Sequence, residues 1–210
     1  TQADKVLLPY FRLHGIDALD ALIVSHGDRD HSGGLDVIKQ QIPIGRHLGF
    51  AGEPCRNGER WGWNQVEFLI LNGTGQDEVS RNDQSCALLI STAETRVLVL
   101  GDMSSLKEKE LVRFWREALA ATHLVVAHHG SRFSTSYALL KWARPDWALI
   151  IAGFANAFGH PHDEVLMRLA QAGEAVVLNT ATEGAIVLRL DRGSGVKPTR
   201  QRTRWSPYWL

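Results

Sequence analysis

The run His26-Gly27-Asp28-Arg29-Asp30-His31-Ser32-Gly33-Gly34 decides how this sequence is interpreted, because it holds four potential metal ligands within six residues. It directly follows Leu19–Val24, a short and mostly apolar run. Imidazole and carboxylate groups bind zinc, manganese and similar ions, and ligands spaced i, i+2, i+4 and i+5 in a loop point towards two neighbouring ions. A solvated turn would also be rich in Asp, but it needs no flanking histidines. The run therefore predicts a metal site, with Ser32-Gly33-Gly34 leading the backbone closely into a helix.

The composition is that of an ordinary globular domain. The 210 residues include 23 Lys+Arg and 23 Asp+Glu, so the formal net charge is zero, and 44% are hydrophobic. This excludes a polycation and a low-complexity scaffold. The longest apolar stretch, residues 147–158, has 12 residues, whereas a membrane-spanning helix needs about 20. The first residues lack a basic-then-apolar pattern, so we do not predict a signal peptide from them.

Helical and extended patterns alternate along the chain, which predicts α/β layers around a mixed sheet. Residues 45–62 are loop-like, and residues 72–83 form a polar turn region. We expect helices at 3–14, 34–41, 104–120, 135–142 and 163–172, and strands at 19–24, 63–70, 86–90, 96–100, 124–127, 147–151, 175–178 and 185–190. Beyond residue 190 the chain becomes basic.

Further candidate ligands follow predicted strands. Asp102 follows strand 96–100, His128 and His129 follow strand 124–127, and His160 and His162 lie just beyond strand 147–151. A Gly-Asp pair is usually only a turn, and a His pair in a loop is usually a satisfied polar group. Open α/β sheets, however, place their sites beyond the carboxyl ends of strands. Convergence on that edge makes these residues candidates.

Two cysteines, Cys55 and Cys86, leave two alternatives open. They are either separate buried thiols or one disulfide, which would imply an oxidising compartment.

The ordered set of motifs resembles the metallo-β-lactamase superfamily, whose first metal motif is usually HxHxDH. Asp28 stands where that pattern usually has its second His. Across residues 6–190 the chain resembles one branch, the C-terminal hydrolase-like domain of ComEC-type competence proteins. These proteins are membrane channels that bring DNA into naturally transformable bacteria. The motifs that carry this resemblance are Asn82-Asp83-Gln84-Ser85-Cys86, Leu100-Gly101-Asp102, His128-His129-Gly130-Ser131 and Phe158-Gly159-His160-Pro161.

The resemblance implies an αββα sandwich and a site for two divalent ions, Zn²⁺ or Mn²⁺. His26 and Asp28 would hold the first ion, Asp30 and His31 would hold the second, Asp102 would bridge them, and His129 would be the remaining ligand. Water between two such ions is activated to hydroxide. Asp30 would orient that hydroxide, while His128 and His160 would contact the substrate phosphate or donate a proton to it.

Substrate contacts are expected from Ser85 and from the segment after the His pair. Ser131, Arg132 and Thr135 precede a predicted helix, where hydroxyls and free backbone N–H groups suit a phosphate. The alternative is that the hydroxyls only cap that helix.

The sequence departs from the superfamily pattern in two respects. No metal-binding His lies between the first motif and Gly101-Asp102, because the chain has Asn82–Ser85 there and His47 lies in an apparent loop. We therefore expect the first ion to be held weakly, or to need water, Asn or Ser to complete its shell. Only one helix and one strand precede the first motif, which predicts a fragment lacking the N-terminal strands of its domain. We expect that domain over residues 1–190 and a basic tail over residues 191–210.

The favoured function is a metal-dependent nuclease domain that degrades the strand not imported by the channel. DNA, with single strands favoured, and the rest of the membrane channel are the expected partners. An extracytoplasmic, periplasmic-side location is expected for this domain of an inner-membrane protein. With a net charge of zero, the chain lacks the broad basic surface expected of a strong nucleic-acid binder. The DNA assignment therefore rests on the resemblance. The alternatives are a metal-poor DNA-binding or structural module of the channel, and a superfamily hydrolase acting on a small substrate.

Overall fold

A computed structural model describes residues 1–73, 80–190 and 196–202. The described residues contain a seven-stranded sheet and a two-stranded parallel sheet, with a short antiparallel pair near the C-terminal end. The two-stranded sheet consists of β1 (Leu19–Val24) and β2 (Ile44–Gly49). The seven-stranded sheet has the order β3 (Arg60–Trp63), β4 (Val66–Asn72), β5 (Ala87–Ser91), β6 (Arg96–Val99), β7 (His123–Val125), β8 (Trp147–Ile150) and β9 (Val176–Asn179).

The connections follow the two pairing modes of the large sheet. Strands β3 to β6 form an antiparallel meander, and strands β6 to β9 pair in parallel. Parallel neighbours need crossover connections, and helices supply them here. The helices are α1 (Leu8–Leu13), α2 (Arg29–Ser32), α3 (Leu35–Gln41), α4 (Ser105–Trp115), α5 (Tyr137–Ala143), α6 (Asp163–Ala172) and α7 (Thr180–Glu183).

Alternating side chains build the layers, because successive residues of a strand face opposite sides of a sheet. In β4, Leu69 and Leu71 pack in a cluster with Leu111 of α4 and Leu139 of α5. Ile70 packs on the other side, in a cluster between the two sheets that includes Leu48 of β2. A third cluster joins β1 and β2 to α3 and the N-terminal helical segment. The expected αββα sandwich is confirmed.

The expectation of a loop over residues 45–62 is wrong. Strand β2 crosses its first part, with His47 paired to Leu22, and β3 begins at Arg60. The glycines that suggested breaks serve close packing instead. At Gly49, which has a φ of +87°, a Cβ atom would lie 2.1 Å from the Val24 carbonyl oxygen. Pairing with the distant β1 therefore overrides the local signal.

A disulfide joins Cys55 to Cys86, which resolves the two alternatives for the cysteines. Both residues are buried, with 3% of their surface exposed, and their Cα atoms lie 6.0 Å apart. Cys55 belongs to the segment between β2 and β3, and Cys86 directly precedes β5. The bond therefore ties that long connection to the central sheet.

Part of the expected basic tail packs on the domain. β11 (Thr199–Arg200) pairs with β10 (Ile186–Val187), which is shorter than the strand expected at 185–190. The Arg202 Nη1 atom donates a hydrogen bond to the Ala181 carbonyl 2.7 Å away. Other tail residues, including Trp205 and Trp209, lie outside the described residues, as do residues 74–79 of the predicted turn region. Within the described ranges, every helix is too short or too polar to cross a membrane.

We predict that breaking the disulfide lowers the free energy of unfolding by about 3–4 kcal/mol, because the bond constrains a loop of 31 residues in the unfolded chain. Urea unfolding with and without a reductant measures this change. A Cys55→Ala/Cys86→Ala variant is the control and should be equally destabilised but insensitive to reductant. An unfolding midpoint of the parent protein that does not move on reduction would contradict the prediction.

Candidate metal centre

The segments that follow four strands meet at one edge of the fold. The 26–31 segment follows β1, Asp102 follows β6, the His pair follows β7, and His160 lies in the segment after β8. Two backbone hydrogen bonds join these turns. The His128 N–H donates to the Gly101 carbonyl, 3.0 Å away, and the His162 N–H donates to the Gly130 carbonyl, 2.9 Å away. The sequence-based expectation that these residues converge agrees with this geometry.

The strained turn after β7 aims its two imidazoles. His128 and His129 have φ values of 51° and 56°, in the left-handed region that residues other than glycine seldom adopt. Two successive residues of this kind are costly and are typical of functional sites. Here they direct both rings towards Asp102.

Asp102 is the centre of the cluster, and its two carboxylate oxygens face different groups. The Oδ1 atom lies 3.2 Å from His31 Nε2 and 3.8 Å from His129 Nε2. The Oδ2 atom lies 3.8 Å from His26 Nε2 and 3.7 Å from His128 Nε2. A carboxylate with potential metal-binding nitrogen atoms near both of its oxygens has the arrangement needed to bridge two cations.

The compact side of the cluster contains Asp30, His31, Asp102 and His129. One potential ligand atom from each of these residues lies within 4.8 Å of the other three. Asp30 Oδ2 closes the group, at 3.3 Å from His129 Nε2 and 3.7 Å from His31 Nε2. All four residues were expected ligands, and the fold brings them together.

The opposite side of Asp102 is looser. His26 Nε2 lies 3.9 Å from Asp28 Oδ2, but Asp28 also forms an ion pair with Arg81 at 3.4 Å. Ser85 occupies the region where the superfamily pattern would supply a histidine, and its Oγ atom lies 3.3 Å from His26 Nδ1. This side of Asp102 therefore offers fewer side-chain atoms that are free to bind a metal ion.

Hydrogen bonds at Nδ1 leave the Nε2 atoms turned towards the centre. His129 Nδ1 lies 2.7 Å from the Ile151 carbonyl, which only accepts, so Nδ1 carries the proton. Ser25 Oγ lies 3.1 Å from His26 Nδ1 and 3.2 Å from His31 Nδ1. Such outer contacts orient metal-binding imidazoles. Ser25 was not among the residues expected from sequence, although it directly precedes His26.

The cluster has the chemistry of a metal site. The Nε2 atoms of His26, His31 and His129 are buried and make no hydrogen bond. Buried polar atoms without a partner are rare and costly, but an unprotonated Nε2 is a normal ligand for a divalent ion. The residues present therefore fit zinc or manganese.

Burial and charge give the histidines different protonation properties. Burial lowers the pKa of His26, and the nearby His31 lowers it further. Burial also opposes protonation of His31, but the Asp102 carboxylate outweighs this effect and raises the His31 pKa. Burial acts to raise the pKa of Asp102, yet His31 brings it below the ordinary value. The carboxylate thus stays charged in a buried position.

The expected substrate-contact residues lie in different environments. Ser85 is fully buried, and its Oγ atom accepts the Asp102 N–H at 3.1 Å. Ser131 and Thr135 are also buried, whereas Arg132 is exposed and packs over the Phe133 ring. His160 has a buried Nδ1 atom without a hydrogen-bond partner, and burial lowers its pKa. The roles of these residues remain predictions.

Two residues that sequence reasoning missed hold the segment after the His pair. Glu108 of α4 is fully buried and accepts the backbone N–H groups of Thr135 at 2.5 Å and Ser136 at 2.6 Å. Arg168 of α6 donates to the carbonyls of Arg132 and Ser134, both at 2.7 Å. The signal for Glu108 was its position three and four residues before the apolar Leu111 and Val112, on the same helix face.

We predict that Glu108→Ala lowers the free energy of unfolding by about 2–5 kcal/mol, because it leaves two buried N–H groups without an acceptor. Chemical denaturation measures the change. The matched control is Glu110→Ala on the same helix, which removes a surface pair with Lys107 at 3.2 Å and should cost less than about 1 kcal/mol. Equal effects of the two substitutions would contradict the assignment.

Comparison with known proteins agrees with this geometry. Residues 2–153 match the family model described as the metallo-beta-lactamase superfamily. The chain is 34% identical, over 99% of its length, to competence protein ComA of Neisseria gonorrhoeae, and 33% identical, over 100% of its length, to recombination protein 2 of Haemophilus influenzae. It spans 30% and 27% of those two proteins.

A solved structure supports the fold independently. The metallo-beta-lactamase fold protein YhfI from Bacillus subtilis superposes with a TM-score of 0.52 over 90% of this chain and 83% of its own, at 14% identity. The family-model match covers more than half of the chain, and the resemblance inferred from the sequence motifs is confirmed. This chain belongs to the metallo-β-lactamase superfamily.

Proposed function

We propose that this domain is a divalent-metal-dependent phosphodiester hydrolase. In this proposal it is the deoxyribonuclease of a competence DNA-uptake channel and degrades the strand that is not imported. The observation that carries the metal dependence is the convergence of three buried Nε2 atoms, none of which makes a hydrogen bond, around the Asp102 carboxylate. The DNA assignment is supported by the similarity to competence proteins, of which this chain spans less than a third.

The proposed site holds two ions with unequal affinity. Asp30, His31, Asp102 and His129 would hold one ion tightly, because their ligand atoms already lie close together. His26 and Asp28, together with Asp102, would hold the other ion more weakly. The ion pair between Arg81 and Asp28 competes with metal binding by Asp28. Imidazole and carboxylate donors suit zinc or manganese.

A divalent ion in this centre would lower the pKa of water towards neutrality and neutralise charge on a phosphoryl oxygen. Asp30 is exposed at the compact side and would orient the attacking water. His128 is 27% exposed, lies 3.7 Å from Asp102, and would donate a proton to the phosphate or the leaving group. The His160 ring centroid lies 6.0 Å from that of His128, which suits a second contact to the same phosphate.

The disulfide supports an extracytoplasmic location for the domain. Disulfides persist in oxidising compartments and are rare in the cytosol. The buried Cys55–Cys86 bond is therefore the feature expected of a domain on the periplasmic side of the inner membrane. This would place the site where the incoming DNA arrives.

We predict that His129→Ala lowers affinity for Mn²⁺ or Zn²⁺ at the tight site by more than about 100-fold, because even loss of an outer-shell partner costs 10–100-fold. His26→Ala should remove the weaker ion and leave the tight one bound. Calorimetric titration and metal analysis after dialysis measure both effects. His14→Ala, at the end of α1, is the control and should bind metal like the parent protein. Parental metal content in His129→Ala would overturn the assignment of ligands.

We also predict that Asp102→Ala abolishes Mn²⁺- or Zn²⁺-supported cleavage of DNA, since it removes the carboxylate that faces both sides of the centre. Cleavage of labelled single-stranded DNA measures this loss, with His14→Ala as the control. Full activity of Asp102→Ala would refute the mechanism.

The same assays distinguish the two other functions. A small-substrate hydrolase would cleave bis-p-nitrophenyl phosphate or a lactone and leave DNA intact. A metal-poor binding module would purify without metal and bind DNA equally well in a chelator. The Arg81–Asp28 ion pair is the observation that favours such a module, because it occupies one expected ligand.

A further inference from the structure

The segment that follows β8, residues 151–160 (here the rim loop), exposes three large apolar side chains beside the metal centre. The exposed fractions are 52% for Ile151, 68% for Phe154 and 82% for Phe158. Exposed apolar residues that are grouped together mark interaction sites, whereas scattered ones need no explanation. All three side chains lie on the loop that also carries His160.

Ring contacts connect Phe158 to the centre. The Phe158 ring stacks on the His160 imidazole, with centroids 5.8 Å apart and an interplanar angle of 21°. The His160 ring packs edge-on against His128, and His128 Nε2 lies 3.7 Å from Asp102. The exposed ring is therefore two imidazoles away from the central carboxylate. The ring is 82% exposed despite this contact, so most of its surface is open to solvent and available to a ligand.

The rim loop is held in shape at both ends. The carbonyl of Ile151, at its start, bonds the Nδ1 atom of the candidate ligand His129 at 2.7 Å. Asn156 braces its end, since its Oδ1 atom accepts the His160 N–H at 2.9 Å and its Nδ2 atom donates to the His160 carbonyl at 2.6 Å. A preformed loop pays little ordering entropy on binding.

We propose that Phe158 is a stacking platform for an unpaired nucleobase of single-stranded DNA whose phosphodiester lies in the metal centre. This inference rests on the proposed function for the identity of the ligand and adds how the strand is held. Base–aromatic stacking does not require a particular sequence and contributes about 1–3 kcal/mol per base. Duplex bases are covered by their neighbours, so an open aromatic face selects single strands. Arg132, exposed beyond the His pair, supplies a positive charge for the adjoining backbone.

The test measures binding of fluorescently labelled (dT)20 and of an abasic 20-mer of equal length, with Mn²⁺ present so that the centre is loaded. Both strands carry cleavage-resistant phosphorothioate linkages so that neither is cut. The parent protein should bind (dT)20 about 5- to 150-fold more tightly than the abasic strand. Phe158→Leu keeps an apolar side chain but removes the ring, and should bind (dT)20 as weakly as it binds the abasic strand. Phe158→Trp should retain the preference for (dT)20. Phe114→Leu, which changes another exposed Phe near the end of α4, should behave like the parent.

Two results would overturn the proposal: equal affinity of the parent for both strands, or an unchanged (dT)20 affinity in Phe158→Leu. If Phe158→Leu instead lost binding to phosphatidylglycerol vesicles while (dT)20 binding stayed the same, the ring would serve a lipid surface and not a base. Metal-dependent cleavage, measured separately, keeps the two proposals distinct. If the protein stacks bases but cuts no DNA, only the nuclease proposal is refuted. If the protein cuts (dT)20 and the abasic strand at equal rates, with or without the Phe158 ring, only the stacking proposal is refuted.

Discussion

A charged carboxylate at a nearly buried position is the constraint on which this structure depends. Asp102 is 4% exposed, and an isolated buried charge is too costly to persist unless cations or hydrogen-bond donors surround it. Four imidazoles approach its two oxygens, and their Nδ1 or backbone contacts fix how they point. A divalent cation on the compact side would neutralise the carboxylate and give the Nε2 atoms of His31 and His129 a partner. The same groups that make the site costly to fold thus make it competent to bind metal.

The fold satisfies this constraint by ending several strands at one edge and bracing the turns that leave them. The turn at Gly101, with a φ of +61°, brings the backbone so close to Ser85 that a Cβ atom would lie 2.7 Å from Ser85 Oγ. Ser85 in turn accepts the Asp102 N–H and contacts His26, while the disulfide at the next residue ties this region to the segment before β3. Glu108 and Arg168 fix the segment after the His pair through hydrogen bonds to its backbone. The candidate site and the stability of the fold therefore depend on the same contacts.

The alternation of helices and strands and the residues at the strand ends could be predicted from sequence, because both depend on short-range patterns. The αββα layer order came only from the family resemblance. The 26–31 run and the Gly101-Asp102 turn could each be placed at the end of an apolar strand. They follow strands of two different sheets, so their meeting depends on how those sheets pack together. Strand β2 could not be predicted in this way, since its glycines read locally as breaks and its pairing with β1 is a tertiary effect. The same holds for the partners of Glu108 and Arg168, which are backbone groups far away in the sequence that only the fold brings close. The ion pair of Arg81 with Asp28 likewise has no local signal.

The central claim is that Asp30, His31, Asp102 and His129 surround a single cation. Anomalous diffraction from crystals of this protein soaked in Mn²⁺ or Zn²⁺ tests it most directly. We expect a strong anomalous peak at about 2.0–2.2 Å from an imidazole nitrogen or carboxylate oxygen of each of the four residues. Peaks on other residues alone, with none among these four in fully soaked crystals, would contradict the claim.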